Sequence, residues 1–211
     1  MSLDFVRALL AGHNLTPKYF PRAVRHVKLV AWRLSRWVSR IFRTDGEMSN
    51  INPGATAPAF SLKDLSGKDY SLPALLEKGP VVAAFFKVSC PVCQFTFPFL
   101  ERIYERYGGD PVTFLGVSQD DAKATKKFAS EYGVTFPMVL DEKGYPASNA
   151  YGLTSVPTIF LIDTDGTVRV ACMGFEKKGF EDIAHFLAER QKIAPAALFR
   201  PDEKVPAYKP G

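Results

Sequence analysis

Short apolar runs of strand length alternate with stretches of helical period from residue 52 onward. Residues 80–88 and 112–118 are nearly continuous apolar runs, the pattern of strands buried on both faces. Residues 158–163 have the same character. Asp165-Gly166 and residues 167–173 then predict a hairpin turn and a returning strand. Nearer the start, residues 59–62 predict a short strand, residues 64–68 a turn, and residues 70–72 a strand that pairs back. Helices are predicted from about Cys93 to Tyr107, stopped by Gly108-Gly109, and from a cap at or near Asp121 through Tyr132. A last helix covers residues 181–192, with Ile183, Phe186 and Leu187 at core spacing. Residues 136–140 add a short strand and residues 145–151 a short helix. Strands alternating with helices predict an α/β domain whose partly parallel sheet carries helices on both faces, with antiparallel pairing at the closing hairpin.

Composition narrows the class. Among 211 residues, 46% are hydrophobic and 23% charged, which excludes wholesale disorder. Three cysteines exclude a disulfide-stapled mini-protein. No apolar run approaches the roughly 18 residues of a conventional transmembrane helix. From Pro195 on, four prolines and several charges predict a flexible tail. The expected division is a leader over residues 1–47, one domain over 48–194, and a Pro-rich flexible tail over 195–211.

The formal charge of +5 is unevenly spread. Residues 1–47 hold nine Lys and Arg against three Asp and Glu, and the remainder holds 18 against 19. The domain therefore gives no electrostatic case for nucleic acid as a partner. Within the leader, residues 25–43 have helical period. Val27, Val30, Leu34, Trp37, Val38 and Ile41 share one face, and Lys28, Arg33, Arg36, Arg40 and Arg43 lie largely on the other. Basic residues opposite an apolar face with Trp are the composition of a membrane-surface helix. Arginine interrupts every apolar stretch and no small-residue cleavage site follows, so a secretory signal is not indicated. Three readings of the leader stand side by side: a peripheral membrane contact, a helix docked on the domain, and a dispensable or artefactual preface before Met48.

The candidate chemistry is in sulfur. Cys90-Pro91-Val92-Cys93 falls where a buried strand passes into a helix. Free N–H groups and the dipole at a helix N-terminus favour an anion on Cys90. Cys93, one turn on, would face inward within disulfide reach, so that it can open a mixed disulfide formed at Cys90. Pro91 stiffens the turn between the sulfurs. Zinc needs four ligands, and one such pair supplies two. Cys172 sits mid-strand, and His13, His26 and His185 are scattered. No metal is expected.

At this junction the chain resembles the thioredoxin-like superfamily. Residues 85–94, Phe-Phe-Lys-Val-Ser-Cys-Pro-Val-Cys-Gln, resemble its strand-to-helix dithiol junction. Pro98 resembles the proline inside the following helix. Residues 151–163, with Val156-Pro157-Thr158, resemble the cis-proline segment. The entry Gly54-Ala55-Thr56-Ala57-Pro58-Ala59-Phe60 resembles the G-x-x-A-P-x-F strand of the redoxin branch, which holds TlpA-like thiol oxidoreductases and AhpC/TSA peroxiredoxins. The likeness spans about residues 52–192. It implies a thioredoxin-like fold with the strand and helix that this branch inserts before the proline segment. It also implies a cis Pro157 against the two sulfurs, and a Val156 backbone able to pair with an extended substrate. Val156, Pro157 and Pro91 are thus the candidate substrate-binding residues. Cys90 is the candidate attacking thiolate and Cys93 the resolving thiol.

The chain departs from the pattern at several positions. Ser89 stands where a tryptophan is usual, and Thr96 where a glutamate is common. Ala84 occupies the strand position at which thioredoxin keeps a buried proton acceptor. Water or Asp120 could take that part. Lys87 is the nearest cation in sequence and is expected as an exposed ion pair. Peroxidatic cysteines follow P-x-x-x-[TS]-x-x-C, and neither register fits here, since Lys87 precedes Cys90 by three and Cys90 precedes Cys93 by three. Arg169 could match the arginine of a peroxidase site, although strand arginines are usually solvated.

The expected activity is thiol–disulfide exchange with protein or small-molecule disulfides and thiols, supported by an upstream thiol reductant. It needs no cofactor, because electrons enter and leave as thiols. A peroxiredoxin-like peroxidase is one alternative, and a membrane-attached redox sensor is another. Phe95, Phe97 and Phe99 are expected as packing, and Cys172 as a buried small apolar residue. The expected location is cytoplasmic, at the membrane surface if the leader binds there, with an extracytoplasmic location, where TlpA-like proteins often work, as the alternative.

Overall fold

The computed structural model describes residues 51–211. The leader, with its amphipathic stretch at 25–43 and the boundary at Met48, lies outside the described residues. The first elements of the described residues are a hairpin of β1 (Ser61–Asp64) and β2 (Asp69–Ser71), followed by the one-turn helix α1 (Leu72–Leu76). Then come β3 (Val81–Phe86), α2 (Pro91–Tyr107), β4 (Thr113–Ser118) and α3 (Ala122–Glu131). The inserted pair is β5 (Met138–Leu140) and α4 (Pro146–Ala150). The chain continues through β6 (Thr158–Ile162), β7 (Val168–Met173), β8 (Phe175–Glu176), α5 (Lys177–Gln191) and β9 (Tyr208–Lys209).

Seven strands form one sheet in the order β2-β1-β5-β4-β3-β6-β7. β4 runs parallel to both β3 and β5, whereas β6 pairs antiparallel with β3 and β7. The sheet is therefore mixed, as the residue pattern predicts. β3 is an interior strand between β4 and β6, with all six residues buried. Its side chains alternate between two cores, the period-2 behaviour of a strand covered on both faces. Val82, Ala84 and Phe86 enter the core under α2, α3 and α5. Val81, Ala83 and Phe85 enter the one shared with β1, α1 and α4. The first core is rich in aromatic rings, with Phe86 4.4 Å from Phe97 and 4.8 Å from Phe128 between centroids. Burying a ring of this size contributes roughly 1.5–3 kcal/mol, so this face fixes α2, and with it the sulfur pair, on the sheet.

Two helices begin earlier than the sequence suggests. α2 starts at Pro91 because Cys90 is its N-cap and proline suits the first helical position. α5 starts at Lys177, directly after β8, with Glu176 as its N-cap. α3 is capped as expected, the Asp121 carboxylate accepting the Ala124 N–H at 2.8 Å.

The tail is a larger correction. Residues 195–211 are docked instead of loose. Phe199 packs on Phe99 at 5.4 Å between centroids. Arg102 holds Glu203 through two N–H···O bonds of 2.8 and 2.6 Å. β9 pairs antiparallel with β8. Prolines remove donors without preventing docking when apolar and charged anchors lie between them.

Candidate functional site

The first turn of α2 builds the sulfur pair. Cys90 has extended backbone (φ −81°, ψ 116°), so its side chain turns back over the helix N-terminus. Its sulfur accepts the Cys93 N–H at 3.3 Å, the position a capping oxygen usually takes. It also faces the Val156 carbonyl, to which the thiol donates at 3.3 Å. The Val156–Pro157 peptide bond is cis, and Pro157 is buried. Cys90 is partly exposed and Pro91 exposed, whereas Cys93 has no accessible surface. Both thiols are free.

Burial pushes the Cys93 thiol well above the ordinary thiol range. A hydrogen bond from the Lys87 backbone works in the other direction, and contact with Cys90 and the negative charge of Asp120 add to the rise. Cys93 is thus protonated at neutral pH, while Cys90 faces solvent beside a ready donor.

The loops at the C-terminal ends of β3 and β4 hold the junction in place. The Asp120 carboxylate accepts the Val88 N–H at 2.8 Å, and the Gln94 side chain donates to the Val88 carbonyl at 2.9 Å. Asp120 is therefore tied to the strand end that leads into Cys90, and its charge reaches Cys93. Lys87 is half-buried with its ammonium 5.8 Å from the Tyr145 ring centroid, an aromatic partner where the sequence suggests a carboxylate. Ala84 is buried between Gly116 and Ile159 in the sheet. Thr96 is fully buried, and its hydroxyl has no partner among the described residues.

Of the remaining candidates, Arg169 lies apart from this site, whereas Cys172, Phe95, Phe97 and Phe99 pack in the same core as the sulfur pair. Arg169 is on β7 beside Val168, which pairs with Ile162 and through it with Val81, at the end of the sheet away from Cys90. It is bound to Asp163 and Asp165 at 3.0 and 3.1 Å, so it is a structural ion pair and not a peroxide ligand. Cys172 is fully buried with its thiol pushed up to about 12, chiefly by burial. Its sulfur lies against Gly179 of α5, where an added Cβ would fall 2.1 Å away. Phe97 and Phe99 are core residues, and Phe95 is half-buried between Phe99 and Phe175. Among the described residues, no group of three or more His, Cys, Asp or Glu could hold a metal ion. Sequence reasoning missed the C-terminal segment, whose Gly211 sits against the Val156 carbonyl. Leu198, Phe199 and Val205, apolar positions between prolines that pack on the core, were the available signal.

A cysteine at a helix N-cap, a buried partner one turn on and a cis-proline carbonyl at the sulfur define a thioredoxin-like dithiol protein. Residues 53–171 match the AhpC/TSA family. The chain is 36% identical over 142 residues to thiol-disulfide oxidoreductase ResA of Geobacillus thermodenitrificans, covering 67% of this chain and 79% of that protein. It is 34% identical over 155 residues to the protein of the same name from Bacillus thuringiensis, covering 73% and 84%. The thioredoxin domain of a thiol-disulfide oxidoreductase from Bacteroides vulgatus superposes with a TM-score of 0.59 at 24% identity, over 65% of this chain and 99% of that one. The chain belongs to the AhpC/TSA family, and it is an oxidoreductase of the thiol–disulfide exchange type. Nothing in these relatives favours the dedicated peroxidase.

Proposed function

We propose that Cys90 attacks and Cys93 resolves, and that the Val156 backbone receives an extended segment of a polypeptide disulfide. The observation that carries this reading is the position of the Cys90 sulfur, 3.3 Å from the Cys93 N–H nitrogen and 3.3 Å from the Val156 carbonyl oxygen. The first contact stabilises negative charge on the sulfur. The second marks the backbone that strand addition would use.

The exchange runs in two displacements. The Cys90 thiolate attacks one sulfur of the substrate disulfide, a Cys90–substrate disulfide forms, and the other substrate sulfur leaves as a thiolate that takes up a proton. Cys93 then gives up its proton to water or Asp120, attacks the Cys90 sulfur, and expels the second substrate thiolate. The substrate gains two electrons and the protein loses two. An upstream thiol reductant restores the dithiol by the reverse steps.

Trapping tests this reading. Cys93→Ser should hold a mixed disulfide at Cys90 with a peptide disulfide, seen by mass, and Cys90→Ser should hold none. Trapping at Cys93 would reverse the assignment. Oxidation of the reduced protein by hydrogen peroxide should proceed no faster than that of a free thiol of similar acidity.

The basic amphipathic pattern of residues 25–43 supports a peripheral membrane contact. Recovery of the full chain, but not of a variant lacking residues 1–47, with anionic vesicles tests it. Among the described residues, no helix is long and apolar enough to cross a membrane.

A further inference from the structure

The C-terminal segment approaches the sulfur site from beyond the edge of the main sheet. Phe199, packed on Phe99, and Glu203, held by Arg102, fix it across α2. It then turns back along β8. Phe175 pairs with Lys209 and Glu176 with Tyr208, and the Lys177 N–H donates to the Ala207 carbonyl at 2.9 Å. This register sets the Lys209 ammonium 4.2 Å from the centroid of Phe95, two residues past Cys93.

The last residues lie against the groove itself. A Cβ on Gly211 would fall 2.7 Å from the Val156 carbonyl oxygen and 3.0 Å from its carbon. Gly174 lies under the same segment at φ +78°, and a Cβ there would fall 2.2 Å from the Lys209 carbonyl oxygen and 2.8 Å from the Gly211 nitrogen. Only glycine meets both demands. The Gly174 N–H donates in turn to the Pro157 carbonyl at 2.7 Å, which ties the segment's floor to the cis-proline turn. The Val156 oxygen that receives the Cys90 thiol is therefore also in contact with Gly211. An extended substrate backbone pairing at Val156 needs that same space.

We propose that residues 207–211 are a resident strand covering the peptide edge beside Val156, which a polypeptide disulfide displaces and a small disulfide passes. The proposal rests on the reading of Val156 as the polypeptide edge. Its physical content is competition within the chain. A substrate that needs the edge binds only the fraction of molecules in which the segment is lifted, and its apparent affinity falls by that fraction. A small disulfide needs Cys90 alone, which stays partly exposed with the segment in place.

The test compares the full chain with a variant lacking residues 207–211, which keeps Cys90, Cys93, Val156 and Pro157. Reduced protein is mixed with insulin as the polypeptide disulfide and with oxidised glutathione as the small one. The variant should react about tenfold faster with insulin and within about twofold of the full chain with glutathione. An unchanged or slower insulin rate overturns the proposal, because the segment is then a wall that substrate uses. An equal rise for both substrates also overturns it, since the segment then acts on the thiol itself. If neither protein reacts with insulin while both react with glutathione, the polypeptide-edge reading fails and takes the proposal with it.

A second measurement keeps the full-length segment. Cys93→Ser is trapped with an insulin chain or with glutathione, and hydrogen exchange is followed at the Lys177 amide. Protection lost only in the insulin complex supports displacement. Protection retained in both overturns it.

Discussion

Cys93 and Cys172 are the same residue in nearly the same condition. Each is fully buried, and burial holds each thiol above its ordinary range. They differ in what lies beside them. Cys93 lies one helical turn from a sulfur that caps α2 and is reached by solvent. Cys172 lies in mid-strand against the backbone of Gly179. Burial alone makes a thiol unreactive. A second sulfur at a helix N-terminus turns a buried thiol into one that can close a disulfide after its partner has reacted.

The sharpest way to break the comparison is to remove the sulfurs of the pair. Cys90→Ser should reduce disulfide exchange to the uncatalysed background. Cys93→Ser should leave the first attack intact and stop turnover, which single-turnover and steady-state assays separate. Gly179→Ala comes next. Its Cβ would fall 2.1 Å from the Cys172 sulfur, so the variant should lose about 1–3 kcal/mol in denaturant melts. Adding Cys172→Ala should restore most of that loss, because the collision is with the sulfur. No such recovery would place the strain elsewhere.

Alkaline pH gives a graded test. An unfolded thiol ionises near 9.0, and native Cys172 keeps its proton to about 12. Between these values the native state binds more protons, so the stability from this group is complete below about pH 9 and is lost as pH rises toward 12. At pH 10.5 the loss attributable to Cys172 should be about 2 kcal/mol, seen as a steeper decline than in Cys172→Ala. The smallest effect is that of Cys172→Ala itself at neutral pH. It should cost about 1 kcal/mol of stability and leave exchange with oxidised glutathione within about twofold.

The parts of this molecule legible in its residues are those with strong local signals. The central strands appear as apolar runs, Asp121 as a cap, and the dithiol and Val156-Pro157 as motifs in order. The missed parts depend on distant partners. α1 is one turn long, and nothing in Leu72–Leu76 separates it from a loop. β8 and β9 hold two residues each, and their pairing joins positions 34 apart, Phe175 with Lys209. Four prolines gave residues 195–211 the composition of a loose tail. Their anchors, Phe199 and Glu203, act only because α2 presents Phe99 and Arg102 to them. Composition carries no record of such partners.

The Arg102–Glu203 clamp sets a concentration as well as a position. Arg102 holds the Glu203 carboxyl down from 4.5 to about 2. The stabilisation is therefore complete above about pH 4.5, is lost only as pH falls toward 2, and persists throughout the neutral range. Gly211 lies eight positions past Glu203, a short leash by chain dimensions. A segment on a short flexible tether meets its docking place at a millimolar effective concentration. Any polypeptide approaching Val156 from solution therefore competes with a rival that dilution cannot remove, and its apparent affinity falls by the ratio of that effective concentration to the segment's own dissociation constant.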